Sequence, residues 1–379
     1  MPYSVHEDRT PNFNSRQMIK ISVRKAILLI LTVTGLAGFT GSLSAQEALS
    51  VSRSYRSLAM GHTGIASAND SAALFYNPAI LANVKGWWLD YSAWTLETSD
   101  GFTATEYTPM MVSPVFPYIK SDGIDNGDKS TFLSKDNPYI RGNAGMNLTV
   151  NLTDTGVSIA GSYLMEYIGT TTNSETAIYQ RYDTVKKVGI SIPLGMGSFI
   201  LGLAATQIDR KEALDATTDS ITTWDHSNSA TGYDIGILYR MANKARITWG
   251  LVLQNPGGLT FGDSPIEEPE HIGFGLSMNH EVGIFKIVPA IDIRQINSKA
   301  ERKNTLHAGI EIGMFPNSTG GSYLTYRVGL NQGYATQGVE LNFFNHYMIV
   351  GYTQYGEEVG EGTDKLESRR SILYFSLGL

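Results

Sequence analysis

Cysteine is absent from all 379 residues, which excludes disulfides, thiolate metal sites and cysteine nucleophiles. Charge is sparse at 17%, yet the mean hydropathy is only −0.12. A bundle of membrane helices would be far more hydrophobic, because each span needs ~20 mostly apolar residues. The stretch that comes closest, 189–208, is uncharged up to Asp209 but carries Pro193, Gly195 and Gly197, where a helix would break. Its flanks alternate instead. Phe199, Leu201, Leu203 and Ala205 share one face, with Ile200, Gly202, Ala204 and Thr206 on the other, which reads as two strands and a tight turn.

The catalytic signatures G-x-S-x-G, H-E-x-x-H, G-x-x-x-x-G-K-S/T and G-x-G-x-x-G are missing as well. His280-Glu281 lacks its second histidine. The group Asp122, Asp125, Asn126 and Asp128 lacks the closing bidentate Glu of a Ca²⁺ loop, so it reads as a solvated acidic loop. Spacing alone does not decide a serine–histidine pair. No enzyme, metal or cofactor is expected.

What is present begins with an export signal. Arg16, Lys20, Arg24 and Lys25 precede an uncharged run over 26–39, and Leu43-Ser44-Ala45 offers a cleavage point before Gln46. Residues 1–45 thus read as a secretory signal peptide, with Met18 as an alternative start and 1–17 as an upstream extension. The competing reading, a membrane anchor, is weakened by Gly35, Gly38 and Gly41. Removing 1–45 takes away five basic and two acidic residues, which moves the net charge from −7 to −10. Nucleic acid is therefore not an expected partner.

Period-two alternation gives fourteen candidate strands: 87–96, 143–152, 156–165, 185–193, 198–208, 230–240, 246–254, 271–279, 284–296, 304–313, 322–331, 336–344, 347–355 and 370–379. Most approach the 9–11 residues that a tilted strand needs to cross a bilayer. Long and short connections alternate between them, with one inversion around the tenth to twelfth strands. Bacterial outer-membrane barrels sort their loops in this way; a soluble all-β protein, which suits the composition nearly as well, has no reason to. The expected fold is all-β, a fourteen-stranded antiparallel transmembrane β-barrel over 87–379 in the bacterial outer membrane, with lipid as its surroundings. Trp87, Trp88, Trp94, Trp249, Tyr347 and Tyr355 lie near strand ends, as interfacial girdles would.

The same alternation turns Asp292, Arg294, Glu311, Arg327 and Glu340 toward the lumen of adjacent strands. A charge on the lipid face would cost up to ~2–4 kcal/mol near the midplane. These five form a polar wall that holds an internal hatch or lines a path, or else fills the lumen as a self-satisfied ion-pair ladder.

Residues 46–86 form no convincing strand. They contain Arg56-Ser57-Leu58-Ala59-Met60-Gly61, Asp70-Ser71-Ala72-Ala73 and Asn77-Pro78-Ala79. In this "R-x-L-x-M-G", "D-x-x-A" and "N-P-A" order the chain resembles the FadL-type outer-membrane proteins. Tyr355-Gly356-Glu357-Glu358-Val359-Gly360 and Arg369-Arg370 are similar to the PorV-like branch. The resemblance implies a barrel whose N-terminal segment folds inside as a hatch, with Asp70, Phe75, Tyr76, Asn77, Pro78 and Ala79 in it. It also implies passage of a small hydrophobic ligand of the fatty-acid or hydrocarbon class, and an exit kink in the third strand, for which Gly161 is the obvious place. The PorV-like alternative is a binding, assembly or shuttle role beside secretion-system proteins. Loop 209–229 is too charged to receive a lipid, whereas Leu259, Phe261 and Ile266 in 255–270 offer an apolar landing site. The alternating Leu373, Phe375, Leu377 and Leu379 resemble the terminal signal read by the barrel-assembly machinery, which more often ends in Phe.

Overall fold

The computed structural model describes residues 53–70, 72–84, 86–100, 112–113, 118–119, 132–135, 138–152, 156–171, 178–194, 198–213, 224–242, 246–264, 267–297, 305–317, 321–359 and 366–378. Residues 1–45, expected to be a signal peptide, the 122–128 acidic group, Ile266 and Leu379 lie outside the described residues.

Every one of the expected strands is present. They are β1 (Trp87–Ser99), β2 (Tyr139–Asn151), β3 (Ser158–Thr171), β4 (Ile178–Leu194), β5 (Phe199–Ala213), β6 (His226–Arg240) and β7 (Thr248–Gln254). The second half comprises β8 (His271–Ser277), β9 (Phe285–Ile293), β10 (Leu306–Pro316), β11 (Ser322–Asn331), β12 (Tyr334–Phe343), β13 (Met348–Glu358) and β14 (Glu367–Gly378). Each pairs antiparallel with the next, and β1 pairs with β14, so the fourteen strands close into a barrel. Closure leaves no free edge, and every backbone group of the ladder finds a partner without water. The β8–β9 seam is the shortest, running from Phe274↔Ile293 to Ser277↔Ala290; the short strand His280–Val282 pairs with the start of β9 beyond it.

The two faces of this sheet are inverted relative to a water-soluble protein. Leu203, Ile235, Leu251, Val339, Leu341 and Leu373 are exposed, while Thr206, Asp234, Glu311, Glu340 and Arg370 are buried. An apolar belt outside and polar groups inside is the arrangement that lipid selects. No helix among the described residues is long and apolar enough to cross a membrane; the strands are the crossing elements. Exposed Trp87, Tyr239, Trp249, Phe285, Phe315 and Tyr347 gather at the short-turn end, as an interfacial girdle does. Tyr355 and Trp88 do not belong to it: Tyr355 is fully buried in the lumen, and Trp88 is half-buried against the His346 ring. A register shift between Asp90 and Ala93 lets β1 turn Asp90 inward on one side and Thr95, Glu97 and Ser99 on the other.

Strands β3 to β6 run further toward the long-loop end than their hydrophobic alternation indicates. Past Ala205 the outward positions of β5 become Gln207, Asp209 and Lys211, and Lys186 meets Asp209 at 3.1 Å on the exposed surface. The ladder continues above the lipid belt, where both faces are polar and period two disappears from the sequence.

Candidate functional site

The N-terminal segment lies inside this ring. Ser54 caps helix α1 (Tyr55–Ala59) through its hydroxyl. Helix α2 (Ala73–Tyr76) follows, then a 3-10 helix, Pro78–Asn83, that Asn77 caps by accepting the Ala79 N–H at 3.0 Å. Asn77 is wholly buried, and its Nδ2 donates to Ile65 O at 3.0 Å, so one amide ties two turns of the segment together. Pro78 at the first helical position has no N–H to leave unsatisfied.

Each member of the expected polar wall meets this segment or a partner that does. Asp292 accepts the Gly64 and Ile65 N–H groups at 2.6 and 2.9 Å. Arg294 donates to His62 O at 3.2 Å and lies over the Tyr76 ring. Glu311 takes Arg56 at 2.8 Å, and Glu340 takes the Tyr55 hydroxyl at 2.6 Å. Arg327 bridges the two acids, at 2.8 Å from Glu311 and 2.9 Å from Glu340. Glu311, Arg327 and Glu340 thus pair among themselves and bond the segment at once, because Arg327 leaves each carboxylate with lone pairs free, while Asp292 and Arg294 bond the segment's backbone alone.

The motif residues acquire separate roles. Arg56 reaches the wall, Leu58 and Met60 are fully buried, and Gly61 holds φ +68°, a conformation that costs glycine least. Asp70 accepts from Ser54 Oγ at 3.3 Å; burial pushes its carboxyl above the usual range against the pull of Arg56. Burial, with Arg294 next, holds His62 well below the usual imidazole range, so its ring is neutral. Arg53 joins the segment to β13: its guanidinium pairs with Glu357 at 3.0 and 3.1 Å and donates to Tyr355 at 3.1 Å.

Close seating depends on inward-facing glycines that the sequence reading did not single out. A Cβ at Gly202 would lie 2.0 Å from Ala79 N, and one at Gly329 would lie 2.4 Å from Gly61 N. Gly236, Gly250, Gly309 and Gly338 face the segment equally closely. The signal was available as glycine recurring at inward positions of consecutive strands, where a side chain would ordinarily fill the lumen.

The segment separates two spaces. Toward the loop end a cavity of about 90 Å³ is lined by His62, Phe75, Tyr76, Lys187 and Arg294. Toward the turn end a vestibule of about 700 Å³ is lined by Arg56, Asp70, Val84, Val288 and Ile349. Above Phe75, Leu259 and Phe261 are buried with Leu164, Val185 and Ile208. They are not presented outward as a landing site. Arg210 stacks on Phe261 at 3.9 Å and pairs with Glu268 at 2.8 Å, which pins loop 255–270 inward. Arg210 also pairs with Asp183, in a buried network with Arg181, Glu166 and Arg141 that the sequence reading missed. Its carrier strands were cut short there.

Gly161 pairs with Leu148 and Val188 in an unbroken register, and a Cβ there would meet nothing within 4 Å. The ladder carries no register shift at the expected exit kink.

No protein-family model matches the chain, and no curated protein does. Solved structures to which it is similar include a Pseudomonas aeruginosa FadL homologue, at 10% identity over 89% of this chain and 99% of that one, with a TM-score of 0.49. The Pseudomonas putida toluene transporter TodX aligns at 12% identity over 85% and 96%, with a TM-score of 0.48. The Ralstonia pickettii toluene transporter TbuX aligns at 10% over 85% and 97%, with a TM-score of 0.44.

Proposed function

We propose that the chain is an outer-membrane barrel that passes a small hydrophobic molecule, with residues 46–86 as its hatch. The observation that carries this reading is how the described part of that segment is held. Hydrogen bonds and ion pairs from Asp292, Arg294, Glu311, Glu340 and Glu357 anchor it against bare glycine backbone, beside apolar clusters that join Leu58 with Ile349 and Ile372, and Leu74, Ile80 and Leu81 with Ile200 and Leu238. Neutral hydrogen bonds contribute ~0.5–1.5 kcal/mol net and those to charged groups ~1.5–3 kcal/mol, because water can replace them. The polar part of this seat is what a hatch exchanges for water when it shifts. An apolar patch of Leu259, Phe261 and Phe75 adjoins the hatch on one side, and the vestibule with Val84, Val288 and Ile349 lies on the other. The hatch lies between that buried patch and the vestibule. The apolar outer belt and the export signal support the membrane location.

The test is uptake. Cells that carry the barrel should accumulate a labelled monoaromatic hydrocarbon or medium-chain alkane faster than cells that lack it. Equal rates for every such probe would end this reading.

A further inference from the structure

One inward rung of the β7–β8 ladder separates the loop-side cavity from the vestibule. Val252 and Gly273, which are paired, line the cavity, and Thr248 and Ser277, also paired, line the vestibule. The rung between them is Gly250 opposite Gly275, so neither strand puts a side chain there. Ile65 of the hatch fills this notch. A Cβ added at Gly250 would lie 3.1 Å from Ile65 Cγ2, one at Gly275 2.9 Å from Ile65 Cβ, and one at Gly273 2.5 Å from Ile65 Cδ1. The side chain is 2% exposed. Ile65 lines the cavity and the next residue, Ala66, lines the vestibule, so the partition here is one residue thick.

The turn that carries Ile65 is tied to the ring by its backbone. Asp292 accepts the Gly64 and Ile65 N–H groups, Arg294 donates to His62 O, and Ser277 Oγ donates to Ala66 O at 2.7 Å. The Ile65 side chain is therefore free to be changed without cutting a tether. The β10–β11 wall has the same spacing, with Gly309 opposite Gly329 between His307 on the cavity and Glu311 on the vestibule. There the backbone of Met60 and Gly61 fills the rung, and Arg56 and Arg327 pair with Glu311 beneath it. Opening that wall breaks buried ion pairs, which is costly once one partner is left alone. Opening the β7–β8 wall displaces an isoleucine, with uncharged Thr248 and Ser277 on its vestibule side.

We propose that Ile65 is the gate of this barrel: its side chain closes a route along β7 and β8 from the loop-side cavity to the vestibule. The route opens when that side chain leaves the Gly250–Gly275 notch. An apolar plug in a narrow passage excludes water and ions and yields to an apolar solute. The rest of the hatch stays seated, since Glu311 and Glu340 hold α1 and Gly202 receives Ala79. This inference rests on the reading of residues 46–86 as a hatch, and names the residue at which that hatch opens.

Single-channel conductance of the full chain in potassium chloride reads the gate with ions alone. Ile65→Ala should give a clear open level over a parent near zero, smaller than that of the 46–86 deletion. Gly273→Ala in the Ile65→Ala background refills part of the space left by Cδ1, and conductance should fall back toward the parent. Leu58→Ala removes as much of a buried hatch side chain that lines neither space, and should stay closed. Limited proteolysis within 53–84 at the parent rate shows that the hatch is still seated. Where Ile65→Ala loses its seat, Ile65→Val, which removes one methyl, is read by the same criteria. An Ile65 variant as closed as the parent beside an open deletion overturns the gate and leaves the hatch. Leu58→Ala as open as Ile65→Ala, or a double variant that does not close again, also overturns the gate. A deletion that stays closed removes the hatch reading itself.

Discussion

Arg56 and Arg327 share one carboxylate oxygen: the Nε atom of each lies 2.8 Å from Glu311 Oε2. One arginine belongs to the N-terminal segment and the other to β11, so Glu311 is the joint between segment and wall. Glu311→Gln keeps the shape and removes the charge, and both guanidinium groups then face a neutral amide. Breaking a buried pair from one side costs about 3–5 kcal/mol. The weaker partner in this joint is the segment, because the strands keep their closed ladder. Limited proteolysis should show faster cleavage within 53–84, with heat-dependent migration unchanged. Cleavage at the parent rate would make Glu311 a wall residue only.

Gly202→Ala tests the seat without touching the ring. The three atoms nearest the added Cβ, at 2.0 to 2.5 Å, all belong to Pro78 and Ala79. Overpacking of this kind costs ~1–3 kcal/mol, and here it falls on the segment. Gly161→Ala is the matched control, since its Cβ meets nothing within 4 Å. The first should open the segment to protease and the second should not. Equal behaviour would contradict the close seat.

Much of this architecture is legible in the amino-acid sequence, because one face of each strand is apolar. Alternation survives wherever one face must be apolar, so Leu306–Pro316 and Tyr334–Phe343 were found nearly to their ends. It fails where β4 and β5 rise above the belt, which hid Arg181, Asp183 and Arg210 in what looked like loop. The wall of Asp292, Arg294, Glu311, Arg327 and Glu340 followed from parity and the cost of charge in lipid. Which hatch residues it meets did not follow, because Tyr55 and Arg56 sit on a short helix with no period to reveal a face. Leu259 and Phe261 were legible as apolar but not as buried, since that depends on Arg210 and Glu268 meeting across 58 positions of sequence.

Asn77→Ala removes a cap and a tie together. Loss of an N-cap costs ~0.5–2 kcal/mol, and the Ile65 carbonyl also loses its donor. The expected result is a milder version of Gly202→Ala, with partial protection of the segment and an intact barrel. Protection equal to the parent would show that Asn77 contributes nothing to the seat.

Acid should loosen the segment through His62. Its ring is held well below the usual range by burial and Arg294, with His307 also facing it. Once released, the ring titrates near ~6.5. The released form then binds a proton that the seated form does not, so the seat is at full strength above ~6.5 and weakens as the pH falls. Asp70 has the opposite sign: burial raises its carboxyl, which favours the seat at low pH and is lost as pH rises through the raised value. Protease sensitivity should increase between pH 7.5 and 5.5 in the parent. His62→Gln should remove its share of this acid sensitivity, leaving Asp70, Asp292 and His307 as the titratable groups at the seat. An unchanged profile in that variant would remove His62 from the account.

The central claim is that residues 46–86 close the lumen, and single-channel conductance of the deletion tests it most directly. The strands form their own ladder, so the shortened chain should still migrate as a folded barrel before heating. Asp292, Arg294, Glu311, Arg327 and Glu340 would then line a wet lumen in place of the segment. The expected record is a parent near zero conductance and a deletion with a clear, steady open level. A folded deletion that conducts no better than the parent would contradict the claim, and the segment would then not be what closes the barrel.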